Sequence, residues 1–369
     1  MRRIVFLIPT LDQIGGAERQ VILLAKELAE RDNQVTVIAL SGSGSSASIE
    51  LAAAGIDFLT LDMRKAWIDP RGWIRYLAWA LHNRPDIAHA HLPHASWFAR
   101  CIRLLLPVRV LIDTVHTSHT GSRLRQATYR LTHWLTSYVT CVSNSVADAI
   151  LAARIAPRRS LTVLPNGVIL PRPEIASNAP SEQAAFQWIA VGRLAPVKDY
   201  PTLLRAFAAL PGSVTLRIVG TGPEEPALRR LTSQLNLDSQ VHFSGFHRDV
   251  HAQLAAADAF VQSSLWEGLP VSILEASAAG LPIVATSASG TSEAVLHGRT
   301  GLLVPVGDVA ALSQAMATVM AMPAAQRRAM GTCGRQFVAE HFSLTMIANQ
   351  WEQLYSDLLN SHPRPSRWG

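Results

Sequence analysis

Short apolar runs alternate with amphipathic stretches along the first half of the chain. Residues 4–8 form the first apolar run, and residues 17–31 follow with Val21, Leu24 and Leu28 at helical spacing. Continuous apolar runs are typical of buried strands, and a period near 3.6 residues is typical of a helix. Later apolar runs predict strands at residues 35–39, 58–61, 86–91, 110–115 and 138–142. Strands that alternate with helices predict a parallel, doubly wound α/β sheet.

The same alternation restarts after a stretch with the composition of a linker. Residues 171–184 are rich in Pro, Ala and Ser, which favours an irregular connection. Beyond it, apolar runs predict strands at residues 188–191, 215–219, 241–243, 259–262 and 283–286. We therefore predict two Rossmann-like domains, at residues 1–170 and 185–343, that face a central cleft. Ligands bind sheets of this kind at the carboxyl ends of their strands.

The stretch from Trp266 to Glu275 carries two carboxylates, Glu267 and Glu275, separated by seven residues. Between them, Pro270 favours the first position of a helix, because proline has no N–H to lose there. The predicted order is strand, loop and then a helix at residues 270–279. Free N–H groups at such a helix start favour an anion or a sugar hydroxyl, and paired carboxylates can accept from vicinal hydroxyls. The alternative is one acid favoured by the helix dipole and one solvated surface residue.

Other candidate ligand-binding residues follow predicted strands. Arg193 and Lys198 lie five residues apart after the strand at 188–191. Two converging cations suit a diphosphate, and the alternative is a solvated loop. Glycines that would let a phosphate or a nucleotide approach the backbone lie in two turns, Gly15-Gly16 and Gly220-Thr221-Gly222.

Histidines lie at the ends of two strands of the first half. His116 follows the strand at 110–115 and is predicted to face the cleft, although a structural histidine fits this position equally well. His89 and His91 alternate along another strand, so they share one face. They resemble metal ligands, but no carboxylate partner is evident. We interpret both as structural or cleft-lining residues.

Composition narrows the classes of protein that fit. Hydrophobic residues make up 49% of the 369 residues and charged residues 16%, which favours buried α/β layers over disorder. Cys101, Cys141 and Cys333 form no Cys-x-x-Cys pair, so we expect no disulfide framework and no zinc site, and we predict a cytoplasmic protein. The apolar run at 4–8 ends at Pro9, too soon for a signal peptide. No run approaches the roughly 18 apolar residues of a membrane-spanning helix.

The positive charge belongs to the first half of the chain. Residues 1–180 contain 20 Lys and Arg against 13 Asp and Glu, whereas the remainder contains 13 and 14. Arg and Trp mingle at residues 64–67, 71–75 and 123–134. Basic amphipathic stretches with Trp favour an anionic membrane surface or an anionic acceptor, and the alternative is a solvated helix face. Nucleic acid is not expected as a partner, because no stacking platform or base-reading motif accompanies the charge.

Together these motifs resemble the retaining glycosyltransferases of GT-B fold usually numbered family 4, of the type that builds bacterial surface polysaccharides. The resemblance covers almost the whole chain, and the order and spacing of the motifs carry it. The matching segments are Gly15-Gly16-Ala17-Glu18, His116, Pro165-Asn166-Gly167-Val168, Val191-Gly192-Arg193-Leu194 with Lys198, Val219-Gly220-Thr221-Gly222, Phe243-Ser244-Gly245-Phe246, and Glu267 with Glu275. The resemblance also implies that residues 344–369 return as a helix to complete the first, acceptor-binding domain, and that residues 185–343 bind the donor.

The resemblance implies a role for each matching residue. Arg193 and Lys198 would hold the diphosphate of the donor and stabilise the leaving group. Glu275 would accept from the ribose hydroxyls and Glu267 from the transferred sugar, beside which His116 would lie. The further donor-binding residues would be Gly16, Gly220, Gly222, Phe246, Gly268, Leu269 and Pro270, and the acceptor-side residues Gly15 and Gly16. No metal or other cofactor is implied, because Arg, Lys and helix dipoles take the place of a divalent cation.

These roles predict an enzyme that moves a hexose or an N-acetylhexosamine from a UDP-sugar or GDP-sugar to an acceptor, with retention. The expected acceptor is a lipid-linked oligosaccharide or a polysaccharide, such as an intermediate of lipopolysaccharide or exopolysaccharide. The basic first half predicts peripheral attachment to the inner face of the cell membrane.

Three alternatives share part of this pattern. A nicotinamide-dependent oxidoreductase would have the doubly wound sheets, but it requires a Gly-x-Gly-x-x-Gly turn, and residues 11–16 contain only Gly15-Gly16. A sugar-nucleotide epimerase has a similar two-domain architecture. A non-catalytic sugar-nucleotide-binding protein is also compatible, although the intact Arg193, Lys198, Glu267 and Glu275 argue against it.

Overall fold

The computed structural model describes residues 1–64, 69–171 and 185–362. The chain divides into two compact units, Met1–Gly167 together with the segment that begins at Leu344, and Val168–Ser343. Of the predicted linker at 171–184, all but Pro171 lies outside the described residues.

The first unit is built on a parallel sheet of seven strands in the order β3-β2-β1-β4-β5-β6-β7. The strands are β1 (Arg3–Ile8), β2 (Gln34–Ala39), β3 (Asp57–Thr60), β4 (Ile87–His91), β5 (Val110–Val115), β6 (Tyr138–Cys141) and β7 (Leu161–Val163). The helices between them are α1 (Gly16–Ala29), α2 (Ser45–Ala53), α3 (Pro70–Asn83), α4 (Pro93–Leu105), α5 (Arg123–Leu131) and α6 (Asn144–Ala152). Strands β1 and β4 are almost fully buried, as their continuous apolar sequences require in a sheet covered on both faces.

The second unit repeats this design with six parallel strands in the order β10-β9-β8-β11-β12-β13. The strands are β8 (Phe186–Val191), β9 (Val214–Val219), β10 (Val241–Gly245), β11 (Ala259–Gln262), β12 (Ile283–Thr286) and β13 (Gly301–Val304). The helices are α7 (Tyr200–Ala208), α8 (Glu225–Gln234), α9 (His251–Ala255), α10 (Val271–Ala278), α11 (Thr291–Ala294), α12 (Val309–Ala321) and α13 (Ala324–His341). The prediction of two doubly wound parallel sheets is confirmed.

The sequence pattern missed the last strand of each sheet. Strands β7 and β13 have only three and four residues. Residues 161–163 are half-buried, so they lack the continuous burial of a central strand. A run this short cannot be told from a loop by periodicity, because periodicity needs several repeats.

The last described helix, α14 (Leu344–Ser361), packs in the core of the first unit. Trp351 and Tyr355 on its inner face are 3% and 0% exposed, in one cluster with Phe6 and Leu24. Arg2 also donates to Ser356 Oγ at 2.7 Å. The sheet of the first unit is therefore covered by a helix from the far end of the chain.

A buried ion pair joins helices α4 and α5 to strand β5. Arg100 and Asp113 are each 1% exposed, and the Arg100 Nη2 atom lies 2.7 Å from Asp113 Oδ2. Arg100 also donates to Tyr129 O at 3.1 Å and to Thr132 Oγ1 at 2.8 Å. A buried charge is tolerated only with such partners, because removing it from water is costly.

None of the helices among residues 1–64, 69–171 and 185–362 has the length and hydropathy that crossing a bilayer requires.

We expect Arg100→Met to lower the free energy of unfolding of the first unit by about 3–5 kcal/mol, because it leaves the Asp113 carboxylate buried without a counter-ion. The matched control is Arg75→Met. Arg75 pairs with Asp62, and their side chains are 51% and 58% exposed. Exposed pairs contribute about 0–1 kcal/mol. Urea unfolding followed by tryptophan fluorescence measures both changes. Equal effects would contradict the conclusion that Asp113 depends on Arg100 as its buried counter-ion.

Candidate functional site

The order of strands in the second unit reverses between β8 and β11, and the predicted cationic and carboxylate residues meet there. The loops that follow these two strands are residues 192–199 and 263–270. They are bound to each other, because Leu265 N donates to Val197 O at 2.8 Å. In an open α/β sheet, the carboxyl ends of the strands at such a reversal form the ligand-binding crevice.

Glu267 lies at the centre of a hydrogen-bond network in this place. Its Oε1 atom accepts from Lys198 Nζ at 2.5 Å, from Ser264 Oγ at 2.6 Å and from Gln262 Nε2 at 3.2 Å. Ser272 Oγ donates to Gln262 Oε1 at 2.9 Å and so fixes the orientation of that amide. Hydrogen bonds to an ionised group are about twice as strong as neutral ones. The network therefore holds the Glu267 carboxylate in one place.

The ion pair between Lys198 and Glu267 links two residues to which the sequence assigned separate tasks. Their side chains are 17% and 14% exposed, so the pair is largely shielded from solvent. An ammonium group has three N–H donors. Lys198 can therefore bind a further anion while one of its donors stays with Glu267.

Arg193 lies on the same loop as Lys198, and Tyr200 follows that loop as the first residue of α7. Arg193 is exposed, and its guanidinium makes no hydrogen bond or ion pair with any residue that the structure describes. Tyr200 is buried and donates through its hydroxyl to Gly192 O at 3.1 Å. Burial, and secondarily the nearby charge of Glu267, raises the pKa of Tyr200 above its ordinary value. The phenol stays neutral and anchors the loop that carries both cations.

The glycines at 220 and 222 allow the loop after β9 to touch the loop after β8. Gly220 has φ +136°, and a Cβ atom added there would lie 2.1 Å from Gly192 O. A Cβ atom at Gly222 would lie 2.2 Å from Leu194 O. The two loops are joined by backbone hydrogen bonds, among them Leu194 N to Thr221 O at 3.0 Å. This close approach requires a residue without a Cβ atom at both positions. Contact of the two glycines with a nucleotide stays a prediction.

Phe246 lies beside this turn, directly after β10. Its side chain is 55% exposed, and Gly245 O accepts from Gly220 N at 2.8 Å. An exposed aromatic ring at the ligand-binding edge of a sheet offers a flat apolar surface.

Helix α10 begins one residue later than predicted. Pro270 is its N-cap, with φ −73° and ψ 102°, and the helix runs from Val271 to Ala278. Pro270 is thus outside the first helical turn, because its ψ angle is extended rather than helical. Gly268 and Leu269 are buried just before it, and Glu275 is half-buried inside the helix.

Three residues of this site were missed by the sequence pattern: Gln262, Ser264 and Gly290. A polar triplet, Gln262-Ser263-Ser264, at the end of a buried strand is a signal that points to the first two. Gly290 packs its Cα against the loop of Glu267, where an added Cβ atom would lie 1.6 Å from Gly268 O. No sequence signal distinguishes it from other glycines that follow strands.

In the first unit, His116 follows β5 and is in contact with a second histidine. His116 Nε2 lies 2.9 Å from His91 Nδ1. His89 Nδ1 lies 2.8 Å from Tyr355 Oη, and His89 Nε2 lies 2.6 Å from Thr114 Oγ1. Burial lowers the pKa of His116 to about 4, and it lowers the pKa values of the other two histidines as well. All three imidazoles are therefore neutral near pH 7.

The Gly15-Gly16 turn starts helix α1. Gly15 is the N-cap, and its N–H donates to Glu18 Oε2 at 3.1 Å. A Cβ atom at Gly15 would lie 2.9 Å from that oxygen. The Gly-Gly-Ala-Glu segment thus caps its own helix. The roles predicted for Gly15 and Gly16 toward the acceptor and the donor remain predictions.

Among the residues that the structure describes, no three His, Cys, Asp or Glu side chains are grouped so that they could hold a metal ion. Independence from metal stays a prediction about the reaction.

Two family models match consecutive parts of the chain. The model described as Glycosyltransferase Family 4 matches residues 14–172, and the model described as Glycosyl transferases group 1 matches residues 172–337. A glycogen synthase of Mycobacterium tuberculosis is 30% identical over 93% of this chain and 91% of its own length. The lipopolysaccharide core biosynthesis glycosyltransferase LpsE of Rhizobium meliloti is 28% identical over 92% of this chain and 95% of its own length.

A solved structure with the same fold is that of Anabaena Alr3699/HepE in complex with UDP-glucose. It superposes with a TM-score of 0.83, at 22% identity, over 96% of this chain and 100% of the other.

We expect Gly290→Ala to lower the free energy of unfolding of the second unit by about 1–3 kcal/mol, because the added methyl group must displace the loop of Glu267. The control is Gly334→Ala in α13, where the nearest atom would be 3.6 Å from the new Cβ. That change should be neutral or stabilising, since Ala favours a helix over Gly by about 1 kcal/mol. Thermal unfolding of the two variants tests this, and a Gly290→Ala protein as stable as the control would show that the contact is not tight.

Proposed function

This chain belongs to the group 1 glycosyl transferases and has their GT-B fold, and from that premise we propose that it transfers a hexose or an N-acetylhexosamine from a nucleoside-diphosphate sugar, with retention. The acceptor that we propose is a lipid-linked oligosaccharide or a polysaccharide intermediate of the cell surface. The observation that supports this most is the Lys198–Glu267 pair at the strand reversal, with Arg193 on the same loop.

The leaving group in this reaction is a nucleoside diphosphate, which gains negative charge as the glycosidic bond breaks. We propose that Arg193 and Lys198 stabilise that charge. Arg193 has an exposed guanidinium, and the Lys198 ammonium is held by Glu267. Fixed donors need no reorganisation during the reaction, and a single such donor contributes about 2.7–4 kcal/mol to lowering a barrier. This arrangement supplies the electrostatic role that a divalent cation has in other enzymes, so we propose a metal-independent reaction.

Glu267 is proposed to bind hydroxyl groups of the transferred sugar. Three donors converge on its Oε1 atom, so Ser264 and Gln262 help to hold the carboxylate in place while Lys198 also binds a diphosphate. A carboxylate has about four lone-pair sites. The sites not used by Lys198, Ser264 and Gln262 can accept from sugar hydroxyls.

His116 is proposed to contact the same sugar, as the family resemblance implies. Its imidazole is neutral near pH 7, because burial lowers its pKa to about 4. A neutral imidazole has one N–H donor and one acceptor nitrogen. It can therefore bind a sugar hydroxyl without adding a positive charge beside the developing oxocarbenium.

For the donor, we propose a UDP-sugar or a GDP-sugar. A neighbour in structure was solved with UDP-glucose, and the exposed ring of Phe246 offers a surface for the nucleobase. Glu275 is proposed to accept from the ribose hydroxyls.

The surface of the first unit supports a membrane-bound acceptor. Leu124 and Leu131, one heptad apart on α5, are 78% and 76% exposed, and Trp134 just beyond the helix is 72% exposed. Arg123 and Arg130 are exposed beside them. Apolar side chains flanked by arginines suit the interface of an anionic membrane. Of the two other basic segments, residues 71–75 lie in α3 with Arg71 and Arg75 exposed and Trp73 half-buried. At 64–67, all but Arg64 lies outside the described residues.

We therefore propose peripheral binding to the inner face of the cell membrane and an acceptor in lipopolysaccharide or exopolysaccharide synthesis, the former being the process in the name of the Rhizobium relative. A sugar-nucleotide epimerase is the alternative enzyme. It would act on the nucleotide sugar without an acceptor, so release of free nucleotide that requires an acceptor excludes it.

We expect Lys198→Ala to lower kcat about 100- to 1,000-fold, because it removes one fixed donor from the leaving group. The matched control is Arg230→Ala, an exposed cation of α8 in the same unit, which should leave kcat unchanged. Release of nucleoside diphosphate from a panel of UDP- and GDP-sugars in the presence of a lipid-linked oligosaccharide acceptor, with and without added EDTA, measures the effect. Near-normal turnover in folded Lys198→Ala protein would overturn the diphosphate assignment.

We expect Leu124→Ser and Leu131→Ser each to weaken binding to vesicles of anionic phospholipid by about tenfold, since burial of a Leu side chain contributes about 1.5–3 kcal/mol. The control is Ile49→Ser on α2, which is 68% exposed in a helix without Lys or Arg. Binding should also weaken as salt increases. Co-sedimentation with anionic and with neutral vesicles tests this. Equal binding to both, or no binding, would contradict the membrane proposal.

A further inference from the structure

His89, His91 and His116 in the first unit form two separate hydrogen-bonded groups in contact with each other. The rings of His89 and His91 are stacked with centroids 4.1 Å apart, and they are 0% and 2% exposed. His89 bonds to Tyr355 and Thr114, whereas His91 bonds to His116. Only His116 is implied in function by the family resemblance.

The hydrogen bonds of His89 fix its own tautomer. Thr114 Oγ1 lies 2.7 Å from Thr140 Oγ1, and Thr140 Oγ1 lies 3.5 Å from Asp113 O. If Tyr355 donates to His89 Nδ1, then His89 Nε2–H donates to Thr114, Thr114 to Thr140, and Thr140 to the carbonyl. Every hydrogen then has an acceptor. If His89 Nδ1–H instead donates to Tyr355, the buried hydroxyl hydrogen of Tyr355 has no acceptor among the described residues. A buried donor without an acceptor is costly.

The pair His91 and His116 allows two arrangements of one proton. Either His91 Nδ1–H donates to His116 Nε2, or His116 Nε2–H donates to His91 Nδ1. His91 Nε2 is buried and makes no hydrogen bond within the described part of the chain. In the first arrangement that nitrogen carries only a lone pair, whereas in the second it carries an N–H without an acceptor. Buried orphan N–H groups are the rarer of the two in proteins, so the first arrangement is favoured.

We propose that His91 is a positioning residue: its Nδ1–H donates to His116 Nε2, orients that ring and keeps the proton of His116 on Nδ1. The Nδ1 atom of His116 is then an N–H donor and not an acceptor. His91 and His116 also line one cavity of about 20 Å³, together with Gln20, Thr114 and Asn166.

The inference rests on the proposed function in one respect, that His116 contacts the transferred sugar. A fixed Nδ1–H donates to a sugar oxygen, so the sugar must offer an acceptor lone pair there. In enzymes whose histidine is held by a second residue, loss of that residue leaves the wrong tautomer and lowers the rate strongly.

The first test is spectroscopic and needs no substrate. In protein with ¹⁵N-labelled histidine, two-bond ¹H–¹⁵N correlation at pH 7.5 reports the tautomer of each ring, and His116→Gln assigns the His116 signals. We expect His116 as the Nδ1–H tautomer in the native chain. In His91→Phe, which keeps a ring of similar size but no nitrogen, the signal should shift towards the Nε2–H tautomer. His91→Asn places an amide where Nδ1 stands and should preserve the Nδ1–H tautomer.

The second test is kinetic. His91→Phe should lower kcat about 10- to 100-fold and leave the dissociation constant of the nucleoside diphosphate unchanged, whereas His91→Asn should retain most of the activity. The matched control is His82→Phe, the same exchange at an exposed position of α3, which should change neither tautomer nor rate.

The two tests separate failure of this inference from failure of the proposed function. A native His116 with its proton on Nε2, or a His116 tautomer that is unchanged in His91→Phe, would overturn the role of His91, even if activity falls. If His91→Phe does not fold, the native spectrum and His91→Asn decide the question. Absence of turnover with every nucleotide sugar would count against the proposed function, while the spectra would still test the hydrogen bond.

Discussion

The ion pair between Lys198 and Glu267 is the interaction on which the candidate site of the second unit depends. It connects a loop that follows β8 to a loop that follows β11. Both charges lie where the strand order reverses, and both are largely shielded from solvent. A charge in such a place must be paired, so each residue determines the position of the other. Ser264 and Gln262 add neutral donors to the same carboxylate oxygen and, together with Lys198, hold Glu267 in place.

Close backbone contacts make this pairing possible. Gly220 and Gly222 allow one loop to lie against Gly192 and Leu194, and Gly290 allows another to lie against Gly268. At each position an added Cβ atom would meet a carbonyl oxygen at 2.2 Å or less. The glycines act first on the protein itself, since they bring the loops within hydrogen-bonding distance. Any approach of a ligand to the same backbone builds on that contact.

The first unit places its functional candidate differently, among neutral groups. His116 lies beside a buried cluster of imidazoles and hydroxyls rather than beside a counter-ion. Burial keeps these imidazoles uncharged near pH 7, so hydrogen-bond direction, and not charge, distinguishes their states. The two candidate sites thus differ in chemistry: the second unit has a paired lysine and glutamate, and the first has neutral imidazoles and hydroxyls.

The two doubly wound sheets could be predicted from the pattern of residues, because apolar runs and helical spacing are local signals that repeat many times. It also identified Arg193, Lys198, Glu267 and Glu275 as candidates, since each lies in a motif after a strand. Three features could be found only in the folded chain: Lys198 pairs with Glu267, His91 bonds to His116, and Gln262, Ser264 and Gly290 support the pair. Those contacts join residues 3 to 69 positions apart in the chain, and a spacing along the chain does not reveal which loops come together when the sheet forms.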